Sequence, residues 1–174
     1  MDLIRYPIGK FHPQELSTYD RMQLIADLPE IAKTLRRVAA SLTEEQLEHS
    51  YRSDGWTIRQ IIHHMADNDM NAYLRFKRAL TEEAPEANSY REDLWAGLID
   101  YKNIPVAHAI ALLELIHERL FKIMTHMQES DFKRTLITQA LGSITLDIAL
   151  QRIIWHNQHH LAQIHAAITR KDEK

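Results

Sequence analysis

The stretch Ile153-Ile154-Trp155-His156-Asn157-Gln158-His159-His160-Leu161-Ala162-Gln163-Ile164 reads as the middle of the last long helix of this chain. Three histidines fall within five residues. His156 and His160 are four apart, so on a helix their side chains stand one above the other and converge on a single ion. Two-histidine zinc helices use that spacing, but no glutamate follows His156, which separates this helix from the metalloprotease form. A third ligand has to come from elsewhere, and the His63-His64 pair is the first candidate.

Outward from that stretch, Leu146, Leu150, Ile153, Leu161, Ile164 and Ile168 build one apolar face. His156 and His160 sit at its edge, a position suited to a ligand at the mouth of a cleft, while His159 is expected to point further toward solvent. Asn157 falls inside the face and needs a buried hydrogen-bond partner. The helix is expected to start from a cap at Ser143 or Thr145, after Gly142, and to run to about Arg170. A turn around Ser130-Asp131-Phe132 and an extended Thr135-Leu136-Ile137-Thr138 precede it.

Three more helices are predicted from apolar periodicity. The first, about Thr18 to Ala40, carries Met22, Ile25, Leu28, Ile31, Leu35 and Val38, with Pro29 as a potential kink. The second opens at the capping box Thr57-Ile58-Arg59-Gln60 and runs to about Thr81, with Ile58, Ile62, Met65, Ala72, Tyr73, Phe76 and Leu80 as its core stripe. His63 and His64 flank this stripe on opposite sides, so periodicity does not choose between them. The third, about 105 to 128, presents Val106, Ile110, Leu113, Ile116, Leu120, Ile123 and Met127. His108, His117 and His126 fall mostly off that stripe and read as solvent-facing.

The connections carry their own signals. Another capping box, Thr43-Glu44-Glu45-Gln46, opens a short helical turn. Residues 83 to about 104, with Trp95 and Leu98 as expected anchors, are too many for a tight helical hairpin. They can cross the length of a bundle and let the second and third helices run parallel. Residues 1 to about 17, broken by Pro7, Gly9 and Pro13, form an irregular arm whose apolar side chains seek cover on the bundle or on a neighbouring subunit. Helix, polar turn, cap and histidine-bearing helix occur at 20–81 and again at 105–170, a weak internal repeat suggesting a pseudo-twofold bundle.

Composition narrows the chemistry. The 174 residues suit one domain, 1–174, and 45% apolar content supplies a core. Four glycines and five prolines leave long uninterrupted runs that favour helices. A net charge of −3, with acidic and basic residues interleaved, argues against nucleic acid as a partner. Arg75, Lys77 and Arg78, the densest basic cluster, face Glu82 and Glu83 and read as a solvated surface. The chain has no cysteine, so disulfides, thiolate metal sites and a cysteine nucleophile of its own are excluded, and any metal is bound through nitrogen and oxygen. No signal peptide or run of transmembrane length is evident, and the expectation is a cytoplasmic protein without a membrane partner. Eleven histidines are the unusual count. An i,i+4 pair alone equally describes ordinary, partly buried histidines; a histidine pair in each half of the repeat shifts the balance toward a metal site. Three histidines on one ion leave coordination positions open, the pattern of catalytic zinc.

The segment Gly55-Trp56-Thr57-Ile58-Arg59-Gln60-Ile61-Ile62-His63-His64-Met65-Ala66-Asp67, followed by Trp155-His156 and His160, closely resembles the DinB-like superfamily. Tyr6-Pro7-Ile8-Gly9, Tyr73-Leu74-Arg75-Phe76-Lys77 and Leu80-Thr81-Glu82-Glu83 match a subgroup within it, the YfiT-type metal-dependent hydrolases, or bacillithiol-transferase-like proteins. The resemblance implies an all-α fold, a four-helix bundle of up-down-down-up topology with an extended N-terminal arm. It also implies a homodimer and one zinc or nickel ion on three histidines, which carry over to His64, His156 and His160. The segment around Gln158 and Gln163 departs from close relatives, which can carry further histidines there.

The resemblance further implies chemistry with a low-molecular-weight thiol and a small-molecule substrate. A divalent ion among neutral imidazoles keeps its positive charge, so it favours a thiol as thiolate or lowers the pKa of water. Thiol S-transfer is the favoured expectation, because no general base is evidently paired with the histidines. Asp67 and His63 are the catalytic candidates left for base duty, Asp67 reading equally well as a solvent-facing helix carboxylate. Hydrolysis of a small ester or amide is the alternative, and a non-catalytic module in which an ion staples two helices is the third.

Overall fold

The computed structural model describes residues 4–169. Its main helices are α1 (Thr18–Ala39), α3 (Ile58–Thr81), α6 (Val106–Met124) and α8 (Leu146–Thr169). Between them lie the short helices α2 (Glu44–Leu47), α4 (Glu92–Trp95), α5 (Ile99–Asn103) and α7 (Glu129–Phe132), and a hairpin of β1 (Thr135–Thr138) and β2 (Gly142–Thr145). The predicted capping boxes form at α2 and α3. Thr43 and Thr57 each accept a backbone N–H at the third helical position, whose glutamine side chain bonds back to the cap. α1 begins on a third box, Ser17 with Asp20, and continues through Pro29. Thr145 Oγ1 accepts from Ile148 N at 3.2 Å and starts α8; the expected end of that helix, Arg170, lies outside the described residues.

Each main helix packs against two others: α1 and α3 both touch α6 and α8. The first and second main helices, and likewise the third and fourth, therefore sit across the diagonals, while α3 and α6 are neighbours. Side-chain contacts give the directions. His63 near the start of α3 meets Ile104 just before α6, and Asp69, eleven residues into α3, meets His117, eleven residues into α6, so these two run parallel. Along α8, Asn157 pairs with Asp69 and His160 packs on His64, so α3 and α8 are antiparallel. Arg21 near the start of α1 bonds Asp147 near the start of α8, and Arg36 near the end of α1 pairs with Glu114 in the middle of α6. The order is up, down, down, up. The 82–105 connection makes this possible by returning along α3: Gln60 Nε2 donates to Ala96 O at 2.9 Å and His63 Nε2 donates to Ile104 O at 3.1 Å.

The core holds Ile25, Leu28 and Leu35 of α1, Ile58, Ile62, Met65 and Phe76 of α3, Leu113 and Leu120 of α6, and Leu150, Ile153 and Ile164 of α8. Several expected positions shift. Met22 is exposed and Arg21 is buried in its place, bonded to Glu129 and Asp147, because α1 turns that edge toward α7 and the start of α8. Met124 is buried where Ile123 was expected. In the long connection Leu98 is exposed; the anchor is Tyr101, whose hydroxyl donates to Asp67 Oδ2 at 2.7 Å. The hairpin pairs Thr135 with Thr145 and Thr138 with Gly142, the latter at φ 66°, a backbone region open to glycine. β1 is tied to the chain just past α3, with Ile137 N donating to Pro85 O at 3.0 Å and Ala87 N to Ile137 O at 2.7 Å. This tie, α3 and α8 enclose a cleft of 250 Å³. Among the described residues no helix is long and apolar enough to cross a membrane.

Candidate metal centre

α3 and α8 bring His64, His156 and His160 together, with one ring nitrogen of each lying within 4.8 Å of the others. His156 Nε2 lies 3.1 Å from His64 Nε2 and 3.2 Å from His160 Nε2. Nitrogens bound tetrahedrally at about 2.0–2.1 Å from one zinc-sized ion stand about 3.3 Å apart, so this set can close on a single ion with little movement. His63, by contrast, faces the opposite flank of α3, where it packs on Tyr101 at a ring-centroid distance of 5.2 Å. Among the described residues no fourth histidine, aspartate or glutamate joins the cluster.

The environment keeps these imidazoles uncharged and aimed. Burial pushes the His64 pKa down to about 4. Burial and then the neighbouring imidazoles push His156 and His160 well below the usual histidine range. Neutral imidazole is the form that offers a lone pair. His160 Nδ1 donates to Gln163 Oε1 at 2.8 Å, which fixes the tautomer that leaves Nε2 free. Trp56, just before the α3 cap, covers the His64 ring at 4.6 Å and stacks on His160 at 6.4 Å. An added Cβ at Gly55 would come within 2.7 Å of Arg52 Cγ, so glycine there lets the Trp56 loop turn tightly.

Behind the histidines lies a buried polar network. Asp69 is 0% exposed; its Oδ2 accepts from His117 Nε2 at 2.6 Å and Asn157 Nδ2 at 2.7 Å, and its Oδ1 from Asn68 Nδ2 at 3.0 Å. The Asn68 carboxamide also lies 3.2 Å from His156 Nδ1. The partner sought for Asn157 is thus Asp69. His117, expected in solvent, is fully buried instead, because α6 turns it into the seam with α3. Asp69 and His117 were legible by the test that singled out Asn157. Asp69 follows Met65 by four and precedes Ala72 by three, and His117 stands likewise between Leu113 and Leu120, so both are polar residues inside an apolar stripe.

Two further expectations change. His159 is buried because the N-terminal arm covers it: it stacks on Trp155 at 4.9 Å and meets Tyr6 at 5.8 Å, while Phe11 packs on Trp155. Gln163 Nε2 donates to Arg5 O at 3.1 Å and lies 3.0 Å from His159 Nε2, joining arm, His159 and His160 through one carboxamide. Asp67 is half-buried rather than solvated, and burial raises its pKa even though Tyr101 bonds it. In the basic cluster Arg78 pairs with Glu82 at the surface as expected, but Arg75 turns into the cleft. The cleft wall combines Arg75 and Arg152 with Asn68, Tyr90, Glu92 and apolar groups including Phe76 and Leu136, and His156 forms part of it.

A helical bundle that gathers three neutral imidazoles, one of them on the wall of a cleft, defines a class, that of bundle proteins with a histidine cluster suited to a metal ion. Comparison with known proteins gives the family. A profile described as the DinB superfamily matches residues 28–164. The chain is 41% identical over 168 residues to a protein of Bacillus licheniformis named "putative metal-dependent hydrolase", covering 95% of this chain and 96% of that one. A protein of the same name from Oceanobacillus iheyensis is 39% identical, covering 97% and 98%. The solved structure of YfiT from Bacillus subtilis, described as "a probable metal-dependent hydrolase with an unusual four-helix bundle topology", superposes with a TM-score of 0.94 at 35% identity, covering 99% of each chain. This chain belongs to the DinB superfamily.

Proposed function

We propose that this protein is a metal-dependent enzyme that activates a small nucleophile at His64, His156 and His160 against an electrophile held in the adjoining cleft. Its first reading is S-transfer from a low-molecular-weight thiol. The observation that carries the enzymatic reading is the placement of His156: it belongs both to the three-nitrogen cluster and to the cleft wall, so a ligand in the cleft reaches the centre. A site meant only to staple helices would be closed by a fourth protein ligand.

When bound, a divalent ion such as zinc or nickel supplies positive charge that lowers the pKa of a thiol or of water. The chain's own residues do the rest. Gln163 holds the His160 tautomer, the Asp69 network backs Asn68 beside His156, and Trp56 shields His64 and His160 from solvent. Thiol transfer is favoured because both carboxylates near His64 on α3 are committed. Asp67 accepts from Tyr101, and Asp69 is enclosed by His117, Asn157 and Asn68, which leaves neither as a free base. Hydrolysis of a small ester or amide is the second reading. It is supported by the names of the relatives and by Glu92, a cleft carboxyl whose pKa burial raises toward the range of a general base. The homodimer implied by the family resemblance accompanies this proposal, and sedimentation of the 20.4 kDa chain tests it.

The deciding experiment is turnover of a generic thiol-reactive electrophile by the metal-loaded protein, with and without a panel of small thiols including bacillithiol. Acceleration that needs both metal and one particular thiol supports transfer. Thiol-independent cleavage of aryl esters or anilides selects hydrolysis, and inactivity in both assays removes the enzymatic reading.

A further inference from the structure

The cleft beside His156 carries more positive charge than its own wall neutralises. Arg75 of α3 and Arg152 of α8 both line it, against the single carboxyl of Glu92. Arg21, Arg36, Arg59, Arg78 and Arg91 each pair with a carboxylate, whereas among the described residues neither cleft arginine does. Arg75 Nη2 donates to the Asn88 carbonyl at 2.6 Å, and its Nε is buried without a partner. The Arg152 guanidinium lies 5.5 Å above the Phe11 ring. The Tyr90 hydroxyl, in the same wall, is also buried without a partner. Burial lowers the pKa of both guanidinium groups, and the charge of Arg75 lowers that of Arg152 further while Glu92 opposes it. Burial raises the pKa of Tyr90, which keeps its hydroxyl a donor. Two half-buried like charges set near each other with open donors are a standing cost in the free protein, one that a bound anion relieves.

We propose that Arg75 and Arg152 anchor a carboxylate of the small-molecule substrate, holding it in the cleft so that its reacting end lies toward His156. The planar guanidinium forks suit a carboxylate, and Tyr90 adds a donor. With Glu92 ionised the three side chains sum to one positive charge, which matches a monoanion better than a phosphate dianion. The apolar part of the wall, Phe76, Leu136 and Ile144 among it, takes the body of the molecule. This inference rests on the reading of the cleft as the substrate pocket of the histidine centre, and it adds the class of substrate.

The test titrates benzoate, benzamide and phenyl phosphate into the metal-loaded protein and follows amide chemical shifts. Benzoate is expected to bind with at least about tenfold advantage over benzamide, and Arg75→Gln and Arg152→Gln each to weaken it by about tenfold, the scale of one charge-assisted bond. Arg152→Lys, which keeps the charge and loses the fork, should fall between, and helical circular dichroism checks that the variants fold. The same titrations on His160→Ala separate this inference from the metal-centred one, since the arginine dependence should persist there. Benzoate binding lost in His160→Ala but unchanged in both glutamine variants would place the anion on the metal and overturn the anchor. Equal affinity for benzoate and benzamide overturns it as well, and tighter phenyl phosphate overturns the carboxylate assignment. Absence of turnover with any substrate leaves the titration result standing.

Discussion

Replacing Asp69 by alanine removes the acceptor at the centre of the buried network. His117 Nε2 then loses its one hydrogen-bond partner among the described residues, at a site where both residues are 0% exposed. Asn157 Nδ2 keeps its second bond, to Ile153 O at 2.9 Å, and Asn68 loses the carboxylate that orients it. A buried donor left unpaired costs about 1–3 kcal/mol, and His117 and Asn68 both lose the carboxylate they bond. A loss of about 4 kcal/mol is therefore expected, corresponding to a fall in Tm of about 8–16 °C for a chain of this size. Urea denaturation of the chelated protein is the suitable assay, because it isolates the network from metal binding. The cycle with His117→Ala sharpens it. The double variant should cost less than the sum of the single ones, because removing the donor relieves the penalty of removing the acceptor. Single losses below about 1 kcal/mol, or strict additivity, would refute the account of Asp69 as the acceptor that closes this seam.

Other consequences are open to simple measurement. In the metal-free protein, His64 is neutral when folded down to a pKa of about 4, while unfolded histidine protonates near 6.5. Between those values the unfolded state binds more protons, so stability should fall as pH drops from 6.5 toward 4, by about 3 kcal/mol from this residue; denaturation midpoints of His64→Gln that track the parent across this range would contradict it. Gln163→Leu should weaken metal affinity by about 10–100-fold by freeing the His160 ring, and also speed proteolysis of the arm, which loses the bond at Arg5 O; unchanged values for both would remove its linking role. Chelation should leave far-UV circular dichroism largely intact, since buried apolar side chains at about 1.5–3 kcal/mol each hold the bundle; unfolding on chelation would point to a structural ion.

Much of this architecture is written in local signals. The Thr57 capping box fixes the start of α3, its apolar periodicity runs to Thr81, and the length of the 82–105 segment points to the parallel pairing of α3 with α6. What sequence left hidden depends on contacts between elements that have no periodicity. His159 looks solvent-facing on a helical wheel because the cover that buries it, Tyr6 and its neighbours, comes from an irregular arm. Arg75 is indistinguishable from Arg78 by composition; the hairpin's tie to residues 85–87 builds the cleft around one and leaves the other outside. Asp69 and His117 are different, since each breaks an apolar stripe that the sequence displays. On one helix such a residue cannot be assigned a partner, and the two become one feature once α3 and α6 are aligned in parallel.

The proposed function requires that His64, His156 and His160 hold one ion. It is tested most directly by metal content per chain in the parent protein and in His64→Ala, His156→Ala and His160→Ala, each checked for helical circular dichroism. About one divalent ion per parent chain is expected, with near-complete loss in all three variants and the fold retained. Equal metal retention across the parent and the three folded variants would contradict it.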